Sequence, residues 1–394
     1  MTQCSVKGQQ ESEPGAWVPF AQGFRPFFIL AGTAAVVLLI LWLGLWHGLQ
    51  RGYYGQVGWH AHEMLFGYAM AVIAGFLLTA VRNWTGIDTP TGRPLALLAL
   101  LWLAGRLLPW LPVPAWIVAL VDMAFLPMLT LALARPLWLG TNRVNRFFIP
   151  LLLAMATANL LVHLQMLGLA TTAVAGQALM LNLLLVLILL VAGRVLPFFT
   201  QAAIPGFQPV TRAWVEWISY LLIGLITVAE LISLEGVQSG LFYAAFAAVQ
   251  AVRLAGWHHP LVWKMPVQWV LHLGYLWVVV GSGLVALAKF GLFLPSAAMH
   301  ALTAGVIGVF TLGMMARVAL GHSGRSIDVA EPMVSAFVFL NLAVLLRVFG
   351  PSLLPSYYLF WIILSGLLWS LAFAIFLAIY LPLLLRPRVD GKPG

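Results

Sequence analysis

The feature that most constrains this chain is a succession of about twelve apolar segments, each long enough to cross a bilayer as a helix. A helix needs about 20 residues to span roughly 30 Å of hydrocarbon. The chain is 62% hydrophobic and 8% charged, whereas soluble domains are about 25% charged. Segments that alternate apolar and polar residues, as a membrane barrel requires, are absent. We therefore predict an all-α, polytopic membrane protein with helices near residues 27–49, 60–81, 93–111, 113–134, 147–168, 174–198, 213–233, 238–256, 267–289, 296–319, 333–349 and 357–384.

The placement of charges predicts the topology. With both termini on one side, 16 of the 20 lysines and arginines fall on that side and 4 on the other. The positive-inside rule then puts both termini in the cytoplasm. We assign residues 1–22 to a polar cytoplasmic tail, 23–385 to the transmembrane domain and 386–394 to a short basic tail. The polar first residues favour a retained anchor over a cleaved signal peptide. Basic residues are scattered singly, which argues against nucleic acid as a partner.

A pair of histidines stands at the start of the second segment, in Trp-His-Ala-His-Glu-Met at residues 59–64. Ionisable groups beside lipid are costly unless something binds them. Neutral imidazole is the commonest metal ligand and also binds haem. His60 and His62 are two residues apart, so on a regular helix they point about 200° apart. They cannot bind one metal together: either they have different partners or the helix begins between them.

The second and tenth segments share a spacing of residues that begins at a histidine, His62 or His300. Glycines follow each histidine at the fifth, thirteenth and twenty-fourth positions: Gly67, Gly75, Gly86, Gly305, Gly313 and Gly324. Both segments run from the outer to the inner side, which indicates parallel four-helix repeats. The sixth segment fits the same frame less closely, with Gln177 opposite His300. His60 is expected to share a helix face with Gly67 and Gly75, a stripe that lets a helix or a flat macrocycle approach.

We predict a haem between the second and tenth helices near the outer surface, with His300 as one axial ligand and His62 or His60 opposite. The topology puts these imidazoles at similar depth. The wider set of candidate metal ligands adds one outer and four inner histidines: His163, His258, His259, His272 and His322. Each histidine has an alternative role, a hydrogen bond to a carbonyl or a lipid headgroup. The single cysteine, Cys4, lies in the tail, so a thiolate zinc site or an iron–sulfur cluster within one chain is excluded.

Other ionisable residues offer supporting roles. Glu63 and Asp122 are carboxylates within apolar segments, and both are candidates for a proton relay. Asp122 needs a partner or a proton at that depth. Arg25 and Arg194 lie in aromatic–proline stretches at the cytoplasmic interface, where an arginine can clamp a phosphate or a haem propionate. Anchoring to lipid headgroups is the alternative for both arginines.

Five blocks of the sequence together resemble the NnrS family of bacterial membrane proteins. The blocks are Gly-Phe-Arg-Pro-Phe-Phe at 23–28, the histidine pair at 59–64, the stretch 75–86 ending in Asn-Trp-Thr-Gly, Gly-Arg-Val-Leu-Pro-Phe-Phe-Thr at 193–200, and the stretch 300–325 from His-Ala-Leu-Thr to Gly-His-Ser-Gly-Arg. They span nearly the whole chain.

The resemblance implies a polytopic protein of the bacterial inner membrane that binds haem b and copper. It also implies a role in the response to nitric oxide, in nitrosative stress or denitrification. Arg82 departs from the proline expected in this family before Asn-Trp-Thr-Gly. The architecture is also similar, more loosely, to the main subunit of haem–copper oxidases, in which the paired histidines lie on helix 10 and not on helix 2 as here.

Three functions are compatible with these features. The first is a haem and copper protein that binds or detoxifies nitric oxide or metal–nitrosyl species, with or without turnover. The second is a secondary transporter, which twelve helices in parallel repeats would suit, although charges at the midplane are sparse. The third is a non-catalytic sensor or partner beside a respiratory redox protein. Motifs for ATP binding, dinucleotide binding or ordinary hydrolysis are absent.

Overall fold

A computed structural model of the chain describes residues 17–45 and 53–392. These residues form twelve long helices and no strand. In chain order the helices α1 to α12 are Phe24–Leu45, Gln56–Thr85, Gly92–Trp110, Ala115–Leu139, Arg143–Met166, Ala173–Ala203, Ala213–Leu231, Val237–Trp257, Pro266–Lys289, Pro295–His322, Glu331–Leu353 and Pro355–Leu385. The prediction of an all-α polytopic membrane protein is confirmed. The predicted end of the first span and most of the predicted N-terminal tail, with Cys4, lie outside the described residues.

Eleven of these helices are long and apolar enough to cross a membrane. The exception among the described helices is α8, whose 21 residues form a helix near the predicted segment 238–256. Its sequence carries Gln238, Gln250 and Arg253, which lower its mean hydropathy. Gln250 and Arg253 are buried against neighbouring helices, so α8 turns these two polar side chains towards the inside of the protein.

Helices α2 and α10 form the interior of the bundle. In their most apolar stretches, 89% and 83% of the residues are buried, against 61% or less for the other spans. Most helices pack against their neighbours in the chain, and α12 returns to pack along α1. The α2 helix contacts α1 and α4, and it touches α10 and α6. Most side chains of α2 and α10 therefore pack against other helices of the protein.

Helices α2 and α10 share a local irregularity as well as a glycine spacing. In α2 a regular turn ends at His62, and residues Glu63–Tyr68 then form a π-helix. In α10 a regular turn ends at His300, and residues Ala301–Val309 then also form a π-helix. Such π-segments are rare in proteins as a whole, but those that occur are often found at functional sites.

The glycines of the shared spacing have matching roles in the two helices. A Cβ on Gly67 would lie 3.0 Å from Arg106 Nη1, and a Cβ on Gly305 would lie 2.7 Å from Trp277. At the twenty-fourth position, Gly86 and Gly324 both adopt positive φ, at 68° and 77°. Close packing and left-handed helix ends thus recur at equivalent positions, which supports the predicted equivalence of α2 and α10.

One expectation about α2 is wrong. His60 does not share a face with Gly67, because the π-segment between them changes the angular register. Gly67 faces Arg106 and Glu63, whereas His60 lines a cavity beside α10. A regular helix would have kept His60 and Gly67 almost in line.

The bundle has two distinct ends. His60 and His300 meet at one end, with ring centres 6.3 Å apart, and we call this end the histidine face. At the other end, the Asn83 amide lies 3.5 Å from His322 Nε2. Here the amide of Val18 donates to the carbonyl of Leu385 at 2.9 Å, so both ends of the described chain lie on this terminal face. Because α2 and α10 meet at both faces, they run parallel.

Candidate metal and haem site

His62 points into a buried cluster between α2, α4 and α5. His62 Nε2 lies 3.2 Å from Asp122 Oδ2, and His163 Nε2 lies 2.9 Å from the same oxygen. All three ligand atoms are within 4.8 Å of one another. Bonds of about 2.1 Å to a common metal would separate adjacent donors by roughly 3.0–3.4 Å. The three side chains are therefore already arranged to hold a metal ion, and they are the one such group of three among residues 17–45 and 53–392.

The remaining ring nitrogens of this cluster are anchored by further polar groups. His62 Nδ1 lies 3.4 Å from Glu63 Oε1, and His163 Nδ1 lies 3.1 Å from the hydroxyl of Tyr53. The Asn159 amide donates to Asp122 Oδ2 at 2.8 Å. Histidines that bind metals commonly use their other nitrogen in this way, which fixes the ring orientation. Both histidines turn Nε2 towards Asp122 and Nδ1 towards a supporting group, as a metal ligand does.

Arg106 neutralises part of the negative charge in the cluster. Its Nη1 donates to Glu63 Oε1 at 3.0 Å, and its Nη2 donates to Asp122 Oδ1. Glu63 and Asp122 are buried, and Glu63 Oε2 has no hydrogen-bond partner. With neutral imidazoles, two carboxylates and one guanidinium leave one net negative charge. A buried net negative charge favours a bound cation or proton.

Two tyrosines from the segment just before α2 contact the histidines of the cluster. The Tyr54 ring stacks on His62 with ring centres 4.0 Å apart and planes 20° apart. Its hydroxyl lies 3.5 Å from His163 Nε2. Burial raises the pKa of Tyr53 to about 12 and raises the pKa of Tyr54 well above its usual value. In the absence of a cation, both residues are therefore neutral phenols that can donate a hydrogen bond.

His60 points the other way, into a cavity of about 310 Å³ on the histidine face. The cavity lies between α1, α2, α6, α10, α11 and α12, and its walls are mostly apolar. Its polar and aromatic lining includes Trp42, His60, Tyr68, His300, Arg347 and Trp369. Gln177, which the spacing analysis set opposite His300, lines the same cavity. A concave apolar site with a few convergent polar groups is the usual form of a cofactor pocket.

The residues of this cavity fit a haem in three respects. The rings of His60 and His300 have centres 6.3 Å apart and planes 10° apart. Two imidazole nitrogens bonded to one metal at about 2.0–2.1 Å put the ring centres roughly 6 Å apart across it. His300 Nδ1 is 2.7 Å from the carbonyl of Ser296, to which it donates, so His300 Nε2 carries the lone pair that a metal requires. A metal bound there would displace the hydrogen bond that Arg347 donates to this nitrogen. Arg347, whose Nη2 is 3.3 Å from that Nε2, supplies a cation for an acidic substituent.

The other predicted histidines lie elsewhere. His322 is at the terminal face beside Phe24, with ring centres 5.8 Å apart. His258 is exposed, and its Nε2 accepts a hydrogen bond from Trp263 at 3.0 Å. His259 Nδ1 accepts from the amide of Leu261. His272 is buried and hydrogen-bonds to the carbonyl of Gln268 at 2.8 Å. The structure does not bring these four together with His60, His62, His163 or His300.

Arg25 and Arg194 also lie away from the histidine face. Arg25 is buried, and its Nη1 donates to the carbonyls of Leu384 and Arg386 at 2.9 and 2.5 Å. It therefore holds the C-terminal end of α12, where a cation is favourable. Arg194 donates to Asn145 Oδ1 at 2.8 Å. The backbone amide of Phe24, next to Arg25, donates to Thr79 of α2, which is 19 positions beyond His60, or roughly 28 Å along the helix. Arg194 lies 5.6 Å from the ring of Trp84, which is further still along α2. Neither arginine therefore contacts a haem bound at His60.

Sequence reasoning missed several members of the two sites. In the sequence, Arg106 and Arg347 are visible only as two of the basic residues that predict the topology. Nothing in the sequence marks Tyr53 or Tyr54 as members of a site. The sequence does give one signal for Arg106. Asp122 needs a partner within the membrane, which points to a cation at the same depth, and the helix that precedes it in the chain, α3, carries Arg106. The tyrosines gave no comparable signal, because only the fold brings the α1–α2 connection against His163.

Comparison with known proteins agrees with this picture over almost the whole length. The family model described as NnrS protein matches residues 18–388. No curated protein matches the chain. The match includes every residue of the buried cluster and of the cavity.

Proposed function

The chain belongs to the NnrS family, and on this basis we propose that it is a haem- and copper-binding inner-membrane protein that binds or detoxifies nitric oxide or its metal–nitrosyl products. The observation that carries the proposal is the convergence of His62, His163 and Asp122 on one point, with each remaining ring nitrogen anchored. Haem iron and copper, when bound, supply the coordination chemistry for nitric oxide, a strong-field ligand that would displace one of the protein ligands where no position is open. We assign copper to this cluster and haem b to the cavity between His60 and His300.

The chain's own residues account for binding, orientation and charge. His60 and His300 would hold the haem, since their rings lie 6.3 Å apart in the same cavity. Arg347 lies beside them and offers a cation to a propionate. The apolar cavity walls exclude water and admit an apolar gas.

Before a metal binds, the buried cluster offers a route for proton transfer, because the atoms of His62, Asp122 and His163 that would hold the metal are then free to pass protons. Contacts of 3.4 Å or less run from the half-buried Tyr53 through His163, Asp122 and His62 to Glu63. Glu63 ends the route with a buried, unpartnered Oε2. The route starts on the histidine face, so protons would enter from that side. Glu63 and Asp122 remain our candidates for a proton relay.

The terminal face is the cytoplasmic face in this proposal. It holds both ends of the described part of the chain and the cations Arg25, Arg386 and Arg388, as the positive-inside rule requires. The cavity and the buried cluster then lie near the periplasmic side, where an apolar gas arrives from the bilayer or the periplasm. A respiratory redox partner would exchange electrons at that side.

The test is a visible spectrum and a metal analysis of the full chain purified in detergent from haem-replete cells. We expect a Soret band that His60→Ala or His300→Ala reduces, and copper that His62→Ala or His163→Ala removes. His322→Ala, on the terminal face, is the matched control and should leave both intact. Anaerobic consumption of added nitric oxide separates turnover from binding alone. A colourless, metal-free preparation would refute the proposal and favour the secondary transporter.

A further inference from the structure

The Tyr54 hydroxyl lies beside His163 Nε2, the nitrogen that faces Asp122. A residue that only orients the imidazole would contact its other nitrogen, Nδ1. We propose that Tyr54 is the fourth ligand of the metal held by His62, His163 and Asp122, bound through its phenolate oxygen. This inference rests on the metal site assigned above. It goes beyond that site because it identifies a ligand outside the helices and predicts a charge-neutral centre with two nitrogen and two oxygen donors.

The distances support a four-coordinate arrangement. The Tyr54 hydroxyl is 3.5 Å from His163 Nε2, and that nitrogen is 2.9 Å from Asp122 Oδ2. The corners of a tetrahedron with bonds of about 2.1 Å are roughly 3.4 Å apart. The Tyr54 ring also lies over His62, with ring centres 4.0 Å apart, so Tyr54 contacts both histidines of the cluster. The donor set is then two imidazoles, one carboxylate and one phenolate.

The two adjacent tyrosines divide their roles around one imidazole. The Tyr53 hydroxyl is 3.1 Å from His163 Nδ1, on the side away from Asp122. The Tyr54 hydroxyl faces Nε2, on the side of Asp122. Tyr53 therefore orients the His163 ring through Nδ1, and the Tyr54 hydroxyl lies on the side of the ring where Nε2 would bind the metal. Gly55, with φ of 69°, turns the chain into α2 immediately afterwards, which lets both rings contact His163.

Charge balance favours a phenolate in the presence of a divalent ion. Glu63, Asp122 and Arg106 together carry one net negative charge, and the imidazoles are neutral when they bind a metal. A divalent ion changes this to one net positive charge, which is costly in a buried site. Binding of the Tyr54 oxygen, with release of its proton to water on the histidine face, brings the cluster to neutrality. One oxygen–hydrogen bond breaks, one oxygen–metal bond forms, and nothing is oxidised or reduced.

The donor set also indicates which metal chemistry it suits. It contains no sulfur ligand, and soft thiolate or thioether ligands are what select Cu(I). Imidazole with carboxylate and phenolate oxygen suits a divalent ion such as Cu(II) or a non-haem iron. The cupric ion is therefore the probe to use.

The experiment is a cupric titration of the chelator-stripped full chain in detergent, followed by difference visible spectra and electron paramagnetic resonance. Difference spectra cancel the haem background. We expect wild-type protein to develop a phenolate-to-copper charge-transfer band on binding. Tyr54→Phe should lose the band and bind cupric ion at least about 10-fold more weakly. Tyr53→Phe is the matched control: it should keep the band, although loss of this supporting bond weakens binding by about 10-fold.

Each outcome decides one question. If His62→Ala and His163→Ala bind as much cupric ion as wild type, the metal site itself is wrong, and the assignment of Tyr54 fails with it. If those variants lose the ion but the wild type shows no such band, or Tyr54→Phe keeps both band and affinity, only the assignment of Tyr54 is overturned. Resonance Raman of wild-type protein grown with ring-deuterated tyrosine shows whether a tyrosine gives rise to the charge-transfer band, because the resonance-enhanced modes shift on deuteration only if they belong to a tyrosine ring.

Discussion

Replacing Arg106 with Met should weaken the protein and strengthen its cation site at the same time. Arg106 is 7% exposed and contacts both Glu63 and Asp122. Its removal leaves two buried carboxylates without their cation. Breaking a buried ion pair by removing one partner costs about 3–5 kcal/mol. We expect a loss of that size in the free energy of unfolding of the metal-free protein.

The effect on metal affinity has the opposite sign. Arg106 binds one oxygen of Asp122, and the proposed metal position is at the other oxygen. A unit charge roughly 6 Å away repels each unit of charge on the ion by about 3 kcal/mol at an effective dielectric constant of about 20. Each 1.4 kcal/mol is about tenfold in affinity. Because loss of Arg106 also loosens Asp122, we expect a net gain of about 10- to 100-fold in cupric affinity for Arg106→Met.

Thermal unfolding in detergent and cupric titration measure the two effects on one preparation. The matched control is Arg253→Met, because Arg253 is also buried and pairs with a carboxylate, Glu216, at 2.5 Å on distant helices. Arg253→Met should destabilise the protein and leave cupric affinity unchanged. Addition of cupric ion should restore more stability to Arg106→Met than to wild type, since a tighter ligand stabilises more. Unchanged or weaker cupric binding by Arg106→Met would refute the electrostatic reasoning and the metal site together.

Three further predictions concern the helices that build the sites. Tyr68→Phe removes a buried 2.6 Å hydrogen bond to Thr311 and should lower the free energy of unfolding by about 1 kcal/mol, as measured by thermal unfolding. Gly308→Ala places a Cβ within van der Waals overlap of Trp369 in the cavity wall; it should cost about 1–3 kcal/mol and lower the haem content per protein. Arg25→Met frees the carbonyls at the end of α12 and should cost about 1.5–3 kcal/mol, with faster proteolysis of the C-terminal tail as the readout.

The sequence predicts the fold well because hydropathy decides membrane insertion almost alone. Each predicted segment corresponds to a helix, and even α8, whose polar residues lower its hydropathy, lies where the pattern puts it. Ends are less accurate: the segment predicted at 60–81 is the helix Gln56–Thr85. Apolar composition fixes the part of a helix in hydrocarbon, but turns and caps outside it decide where the helix ends.

The site is predictable only in part, because pairing across helices depends on angles that the sequence does not display. The histidine pair, His300 and the need of Asp122 for a partner are visible as residue types at unusual depths. The sequence does not show whether His60 or His62 lies beside His300, and only the structure pairs His60 with His300. Arg347 and Tyr54 reach the sites through packing of distant segments, for which a single sequence gives no signal.

The π-segments explain why two histidines on one turn serve two sites. A π-segment contains an extra residue compared with a regular helix, so the turn Gln56–His62 is rotated relative to the rest of α2. Deleting one residue, Leu65, would restore a regular helix and rotate that turn by about 100°. His60 would leave the cavity and His62 would leave Asp122 in the same step. We therefore expect the deletion to lower haem and copper content together, whereas His62→Ala lowers copper alone. A deletion variant that keeps its Soret band at wild-type intensity would show that the π-segment does not position the two histidines.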